Sequence, residues 1–392
     1  MNSELASHWP LADGIDFLNH GSFGSCPRVV LEFQQTLRQR LEAQPVQMLV
    51  RELEGLLDEA RVALAEFLGA QADDVVFVPN ATHGINTVLR SLRFEAGDEL
   101  LVTSHEYNAS RCALDYAAER HGARVVVANV PFPLETESQI VESILKKVTG
   151  RTQLALLDHV TSPTAIILPI ARLVRELAAR GVDTLVDGAH APGMVPLDLA
   201  EIGSAFYTGN CHKWICAPKT AGFLHVRPDH QERIHPLSIS HGFNSLRKDR
   251  SRFQLEFAWT GTFDPTAYLA VPVALRFMET VLPTGWNGVM AQNRELALDA
   301  RDILARALQV QNPCPDEFIG SMASLPLPDA DGRPPKTIDP LQDELWTRHN
   351  IEVPIIPWPK HPHRLVRVSA QLYNHRGQYE RLAAIFSSLI FM

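Results

Sequence analysis

Seven short apolar runs between residues 75 and 226 limit what this chain can fold into more than any other feature. They are VVFV (75–78), ELLVT (99–103), RVVVANV (124–130), QLALL (153–157), DTLVD (183–187), SAFYTG (204–209) and AGFLHV (221–226). Most are near-continuous rather than alternating, the pattern of strands buried on both faces. Helical periods fill gaps between them at 109–121, 137–148 and 169–180. Strands and helices in alternation build a mostly parallel seven-stranded sheet covered by helices, an α/β fold. The last two runs are joined by a loop, which leaves room for a different pairing there.

Ahead of these runs, Val29, Val30, Phe33, Leu37 and Leu41 recur at helical spacing. A second helical stretch runs from Met48 to Leu68, with Gly69 as its stop. Beyond residue 282 the texture shifts. PTGWNG reads as a turn-rich break, followed by a helical pattern from Val289 to Leu308. A Pro-rich stretch with IIPWP and HPH adjoins the strand-like LVRVS (365–369) and a final helix. The expected division is an N-terminal arm (1–24), a large domain (25–282) and a smaller C-terminal α+β domain (283–392).

Composition narrows the function classes. Apolar residues make up 45% and charged residues 21%, which excludes a disordered chain, collagen and a coiled coil. A net charge of −9 disfavours general affinity for nucleic acid or anionic membranes. No apolar run is long enough to span a bilayer, so no membrane partner is expected. The first ten residues, MNSELASHWP, lack the basic and apolar regions of a signal peptide. Five cysteines without a CxxC pair fit free thiols in a reducing cytoplasm. No GxGxxG follows a strand, and GxxxxGK[ST], HExxH and GxSxG are absent. His361-Pro362-His363 reads as a solvated Pro-rich loop rather than a metal site, and no metal is expected.

Polar residues at the C-terminal ends of the strand-like runs carry the chemistry, because ligands bind at that edge of an open α/β sheet. Asn80-Ala81-Thr82-His83-Gly84 follows VVFV and opens a helix, offering backbone N–H groups and a hydroxyl to an anion such as phosphate. Asp187 ends DTLVD, where a buried carboxylate needs a partner such as a protonated pyridine nitrogen. Lys213 is followed by Trp214, Ile215, Ala217 and Pro218, apolar surroundings that favour a neutral, nucleophilic amine. Taken singly, these residues read as readily as two N-caps and a snorkelling lysine. Together they describe a pocket for pyridoxal 5′-phosphate (PLP).

At these residues the chain resembles a fold-type I PLP enzyme of the class V aminotransferase family, close to its isopenicillin N epimerase-like branch. The likeness runs through Phe17-Leu18-Asn19-His20-Gly21-Ser22-Phe23-Gly24, NATHGIN, SHEYNA, DHVTSPT, VDGAHAPG, GNCHKW, WTGT and VRVSAQLYN. It implies that Lys213 carries the cofactor as an internal aldimine and that Asp187 pairs with the pyridinium. It implies ring-hydroxyl contacts from His190 and Ser162, and phosphate contacts from Ala81, Thr82, Asn210 and His212. Tyr107 falls where an aromatic group stacks on the ring. Thr262 matches a phosphate contact donated by a second subunit, which implies a homodimer. Arg367 matches the arginine that forks onto a substrate α-carboxylate, and Asn19 and His20 are expected beside the substrate.

The reaction is less constrained. Cysteine desulfuration requires a cysteine shortly before the carboxylate-binding arginine, and residues 355–367 contain none. The expected activity is epimerisation or racemisation at Cα of an amino acid. A C–S lyase or a class V aminotransferase is the alternative in the same pocket. More distant alternatives are a metal-dependent hydrolase drawing on the 16 histidines and a PLP-fold protein kept as a binding partner.

Overall fold

The computed structural model describes residues 4–335 and 337–390. Residues 1–3 of the expected arm, and residues 336, 391 and 392 of the expected C-terminal domain, lie outside the described residues. In chain order the strands are β1 (Asp16–Phe17), β2 (Val75–Val78), β3 (Glu99–Thr103), β4 (Arg124–Ala128), β5 (Thr152–Asp158) and β6 (Asp183–Gly188). They continue with β7 (Phe206–Asn210), β8 (Gly222–Val226), β9 (Met322–Leu327), β10 (Ile351–Glu352), β11 (Ile355–Pro357) and β12 (Arg364–Ser369).

Each of the seven apolar runs forms one strand of a single sheet, ordered β2-β8-β7-β6-β5-β3-β4. Strands β3 to β7 pair in parallel. β8 runs antiparallel to both neighbours, so the loop-joined last pair does break the parallel pattern. The near-continuous apolar runs follow from burial on two sides. Ala155, Leu157, Val186 and Phe223 face one core, with Ile140 and Ile144 of the helix Glu137–Leu145 and Leu173 and Leu177 of the helix Ile170–Ala178. Leu154, Leu156, Leu185 and Leu224 face another, with Ile85 and Val88 of the helix Ala81–Ser91 and Leu114 of the helix Asn108–His121. Residues of opposite parity along each strand thus feed different cores. Each fully buried Leu or Val contributes roughly 1.5–3 kcal/mol.

The chain leaves β3 outward to β4 and then returns to β5 on the other side of β3. Connections departing in opposite directions open a crevice at the C-terminal ends of β3 and β5. A smaller antiparallel sheet, β11-β12-β9, packs on the helix Gly285–Leu308, which in turn packs on the helix Arg376–Ile390. β1 pairs in parallel with β10 and ties the early segment to the C-terminal region.

Three local departures have physical causes. PTGWNG is not a break throughout: the Glu279 carboxylate accepts the Trp286 N–H at 3.0 Å, and the long helix already starts at Gly285. The stretch expected from Met48 opens with a π-helical turn, Gln47–Glu52, before the α-helix Leu53–Leu68. β9 escaped notice because MASLPL holds Pro326, which is tolerated on this edge strand. The five cysteines are all free thiols. No helix among the described residues is long and apolar enough to cross a membrane.

Candidate active site

β6 delivers Asp187 to the crevice, with Asp158 of β5 and Thr208 of β7 in register beside it. Asp187 is buried and accepts two hydrogen bonds, from Ser110 Oγ at 2.7 Å and from the Ala189 N–H at 3.0 Å. Burial raises its carboxyl pKa, and the two donors and the Lys213 charge oppose that rise. His190 follows on the same turn. Its Nε2 lies 3.1 Å from Lys213 Nζ, and its Nδ1 is buried without a partner among the described residues. Burial, reinforced by the nearby Arg367 charge, pushes the Lys213 amine down to about 7. His190 is held well below its ordinary value by burial and by Lys213, so Nε2 can accept from the amine.

The Lys213 backbone is fixed from below. His20 Nε2 lies 3.0 Å from the Lys213 carbonyl, which must accept, so Nδ1 accepts the hydrogen bond from the Tyr373 hydroxyl at 2.8 Å. Burial holds His20 down at about 3. Both ring nitrogens are therefore engaged beneath the lysine loop. Gly24 permits this packing: at φ +68°, a Cβ there would stand 2.0 Å from the His212 carbonyl oxygen.

An anion corner lies at the start of the helix Ala81–Ser91. Asn80 caps it by accepting the His83 N–H at 2.9 Å. The Ala81 N–H is already donated to Asn210 Oδ1 at 2.9 Å, which joins this corner to the end of β7. The Thr82 amide and hydroxyl and Asn210 Nδ2 have no partner among the described residues. His212 Nδ1 donates to the Ala221 carbonyl at 3.2 Å and leaves Nε2 open. Burial and the Lys213 charge hold His212 at about 4, so a bound anion would have to draw a proton onto that ring.

Arg367 enters from β12, 3% exposed. Its Nη1 donates to the Ser162 carbonyl at 2.7 Å and to Ser162 Oγ at 3.1 Å, and its Nη2 donates to Ser22 Oγ at 3.0 Å. Its Nε is buried without a partner, and no carboxylate pairs with it among the described residues. Ser22 Oγ donates to Asn19 Oδ1 at 2.6 Å, and Asn19 Nδ2 donates to Glu352 at 3.1 Å. Asn19 thus reaches Arg367 through one hydroxyl. Tyr107 precedes the helix Asn108–His121, is 45% exposed, and stands near Arg367.

The structure thus brings Lys213, His190, Asp187, Arg367 and Ser162 to one crevice, with Ala81, Thr82, Asn210 and His212 at its anion corner. Thr262 stands apart. It is exposed on the bend between the helices Arg252–Ala258 and Thr266–Leu269, without a hydrogen bond to the other site residues. Four residues went unread in the sequence: Ser22, Ser110, Glu106 and Asp158. A signal for Asp158 existed, since QLALL is followed by Asp just as DTLV is. Among the described residues, the one cluster of three metal-ligand-type side chains is Glu106, Asp158 and Asp187, and no histidine joins it.

The arrangement fits PLP on its own atoms. A buried Asp187 offers a partner to a ring nitrogen, and the orphaned His190 Nδ1 can meet a ring hydroxyl. The unpartnered Thr82 and Asn210 groups at a helix start suit a phosphate. A sequence profile, Aminotransferase class-V, matches residues 17–334. An isopenicillin N epimerase of Streptomyces clavuligerus is 34% identical over 386 residues, covering 95% of this chain and 94% of that protein. A probable chloroplastic L-cysteine desulfhydrase of Arabidopsis thaliana is 31% identical over 418 residues, covering 100% of this chain and 85% of that protein. The apo structure of a cysteine desulfurase from Thermococcus onnurineus NA1 shares the fold, with a TM-score of 0.80 at 18% identity over 99% of this chain and 97% of that one. Matches spanning the arm, both sheets and the lysine loop leave one assignment: the chain belongs to the class-V aminotransferase family, whose cofactor is pyridoxal 5′-phosphate.

Proposed function

We propose that the protein epimerises or racemises an amino acid at Cα. The observation that carries this reading is Arg367: a buried guanidinium with no carboxylate partner among the described residues, charge-coupled to Lys213 across the crevice. An unpaired buried cation is costly, and a substrate α-carboxylate supplies the missing partner. Ser22 and Ser162 hold the guanidinium plane for a forked contact.

When bound, PLP supplies the electron sink that makes a Cα proton removable. The residues around it do the rest. Thr82, Asn210 and His212 would hold the phosphate, with Ala81 lending its amide to orient Asn210. Asp187 would accept from the ring nitrogen, and His190 and Ser162 would meet the ring hydroxyl. Lys213, whose amine is pushed down to about 7, can both lose and regain a proton near neutral pH and would cover one face of Cα. Tyr107 would stack on the ring and is the candidate proton donor for the other face. Asn19 orients Ser22, and His20 fixes the Lys213 peptide.

The epimerase relative, matched along nearly its whole length, favours this reading. The desulfhydrase relatives keep C–S elimination as the second reading, since it shares the first proton removal. Transamination is the third. Cysteine desulfuration is not supported: β11, β12 and their connection contain no cysteine. We further propose a two-fold homodimer in which Thr262 reaches the partner's phosphate site, the three-part division at residues 24 and 282, and a cytoplasmic setting for the free thiols.

The test is incubation with single-enantiomer amino acids in deuterated water. Deuterium at Cα together with the opposite configuration is expected. Stoichiometric pyruvate and sulfide without inversion of any substrate would replace this reading with a C–S lyase.

A further inference from the structure

We propose that Glu106 and Asp158 form a proton-holding acid pair behind Asp187, so that Asp187 stands as the single anion available to the cofactor's ring nitrogen. The pair stands on its own surroundings; its service to the cofactor rests on the role of Asp187 given above. Asp158 and Asp187 are register partners on adjacent parallel strands, so their side chains leave the same face of the sheet. Glu106 follows β3, the strand on the other side of β5. One carboxyl oxygen from each of the three residues lies within 4.8 Å of the other two.

Their hydrogen bonding differs. Asp187 has donors on both oxygens, Ser110 and the Ala189 N–H. Both Glu106 oxygens and Asp158 Oδ2 are sealed from solvent and find no donor at good hydrogen-bond geometry among the described residues, the two carboxyl groups facing each other beside the Tyr107 N–H, and Asp158 is 2% exposed. Orphaned carboxylate oxygens packed against a third carboxylate are untenable as anions, whereas a carboxylic acid brings its own donor. The cation whose charge bears on Asp187 and Asp158 is Lys213, itself partly neutral. His190 beside it is neutral, and Tyr207, below Asp187, is an un-ionised phenol. Burial and mutual repulsion push Glu106 and Asp158 well above the usual carboxyl range, further than Asp187 with its two donors. The protons therefore stay on the pair and the charge on Asp187. Glu106 and Asp158 are positioning residues: they act through Asp187.

The full-length protein, with and without PLP, tests this through the neutral variants Glu106→Gln, Asp158→Asn and their combination. A folded acid pair keeps protons that the unfolded chain releases above about pH 4. Its stabilisation is complete below that pH and drains as pH rises. Wild-type Tm minus double-variant Tm should therefore fall by at least roughly 2–4 °C between about pH 5 and about pH 9, with or without cofactor. Difference infrared spectra of the wild type should show a protonated-carboxyl C=O stretch at neutral pH that Asp158→Asn removes, a readout that survives a poorly folding double variant. Parallel Tm curves without that band would overturn the proposal. So would a Tm gain of the wild type, absent in Asp158→Asn, on adding sodium, potassium, magnesium or calcium at fixed ionic strength, which would make a cation the occupant. Full turnover by Asp187→Ala would remove the cofactor role and leave the Tm and infrared results standing.

Discussion

Lys213 is a lysine whose surroundings, more than its identity, decide its chemistry. Burial and the Arg367 charge bring its amine to about 7, so the neutral nucleophile grows in as pH rises through that value. Cofactor-free protein should therefore capture PLP into a borohydride-reducible adduct at a rate that climbs with a midpoint near neutrality. A midpoint at the ordinary lysine value would mean that the amine is solvated. Lys213→Ala should lose both the adduct and turnover. Arg367 is the second residue to test, a buried guanidinium without a carboxylate partner among the described residues. Truncating one partner of a desolvated charge pair costs roughly 2–5 kcal/mol. Arg367→Ala should thus raise KM for amino acids while PLP stays bound, and Arg367→Lys should not restore it, since an ammonium cannot fork between Ser22, Ser162 and a carboxylate. Equal activity on amines and amino acids would argue for a structural arginine. Lys213, Asp187 and Arg367 were legible in the sequence because each is a reactive or charged residue at the end or middle of an apolar run. Ser22, Ser110, Glu106 and Asp158 were not, because their partners lie across strands or on the arm, and residue type alone does not reveal a partner distant in sequence.

At the scale of elements, the anion corner depends on how closely one helix approaches one strand. The helix Ala81–Ser91 sits so tightly on β7 that a Cβ on Gly84 would stand 2.1 Å from Thr208 Oγ1. Gly84→Ala should push the helix start off the strand, at a cost of roughly 1–3 kcal/mol. The Ala81–Asn210 hydrogen bond would lengthen with it, so PLP affinity should fall together with Tm. A variant that loses Tm but keeps cofactor affinity would show that the corner does not need this contact. The strands of the large sheet were readable because burial on both faces leaves an almost unbroken apolar run. Elements without such a pattern were not. β1 and β10 are two residues each. The helix Pro340–His349 buries one residue, Leu345, so its apolar stripe is too thin to register as a period. PTGWNG has the composition of a turn, and only the Glu279 cap makes its second half helical.

The whole molecule is organised around the reversal between β3, β4 and β5, and strand order is a property that no local pattern encodes. The alternation of runs pointed to a parallel sheet, but not to which strands are neighbours, and so not to Asp158 beside Asp187. Thr262 poses the same question one level up. It is exposed on a bend whose neighbours Thr260 and Phe263 line a pocket with Pro79 and His83 of the same chain, at the approach to the anion corner. If Thr262 completes a partner's phosphate site, each active site contains residues of two chains, and defects in different chains can be separated. Lys213→Ala and Thr262→Glu should each be inactive or weak alone, the second because a carboxylate would face a phosphate. In a hybrid dimer formed by refolding them together, one site collects both defects and the other collects neither. A statistical mixture should then recover about a quarter of wild-type activity. Were Thr262 to serve its own chain, or were the protein a monomer, every site would keep one defect and mixing would recover nothing.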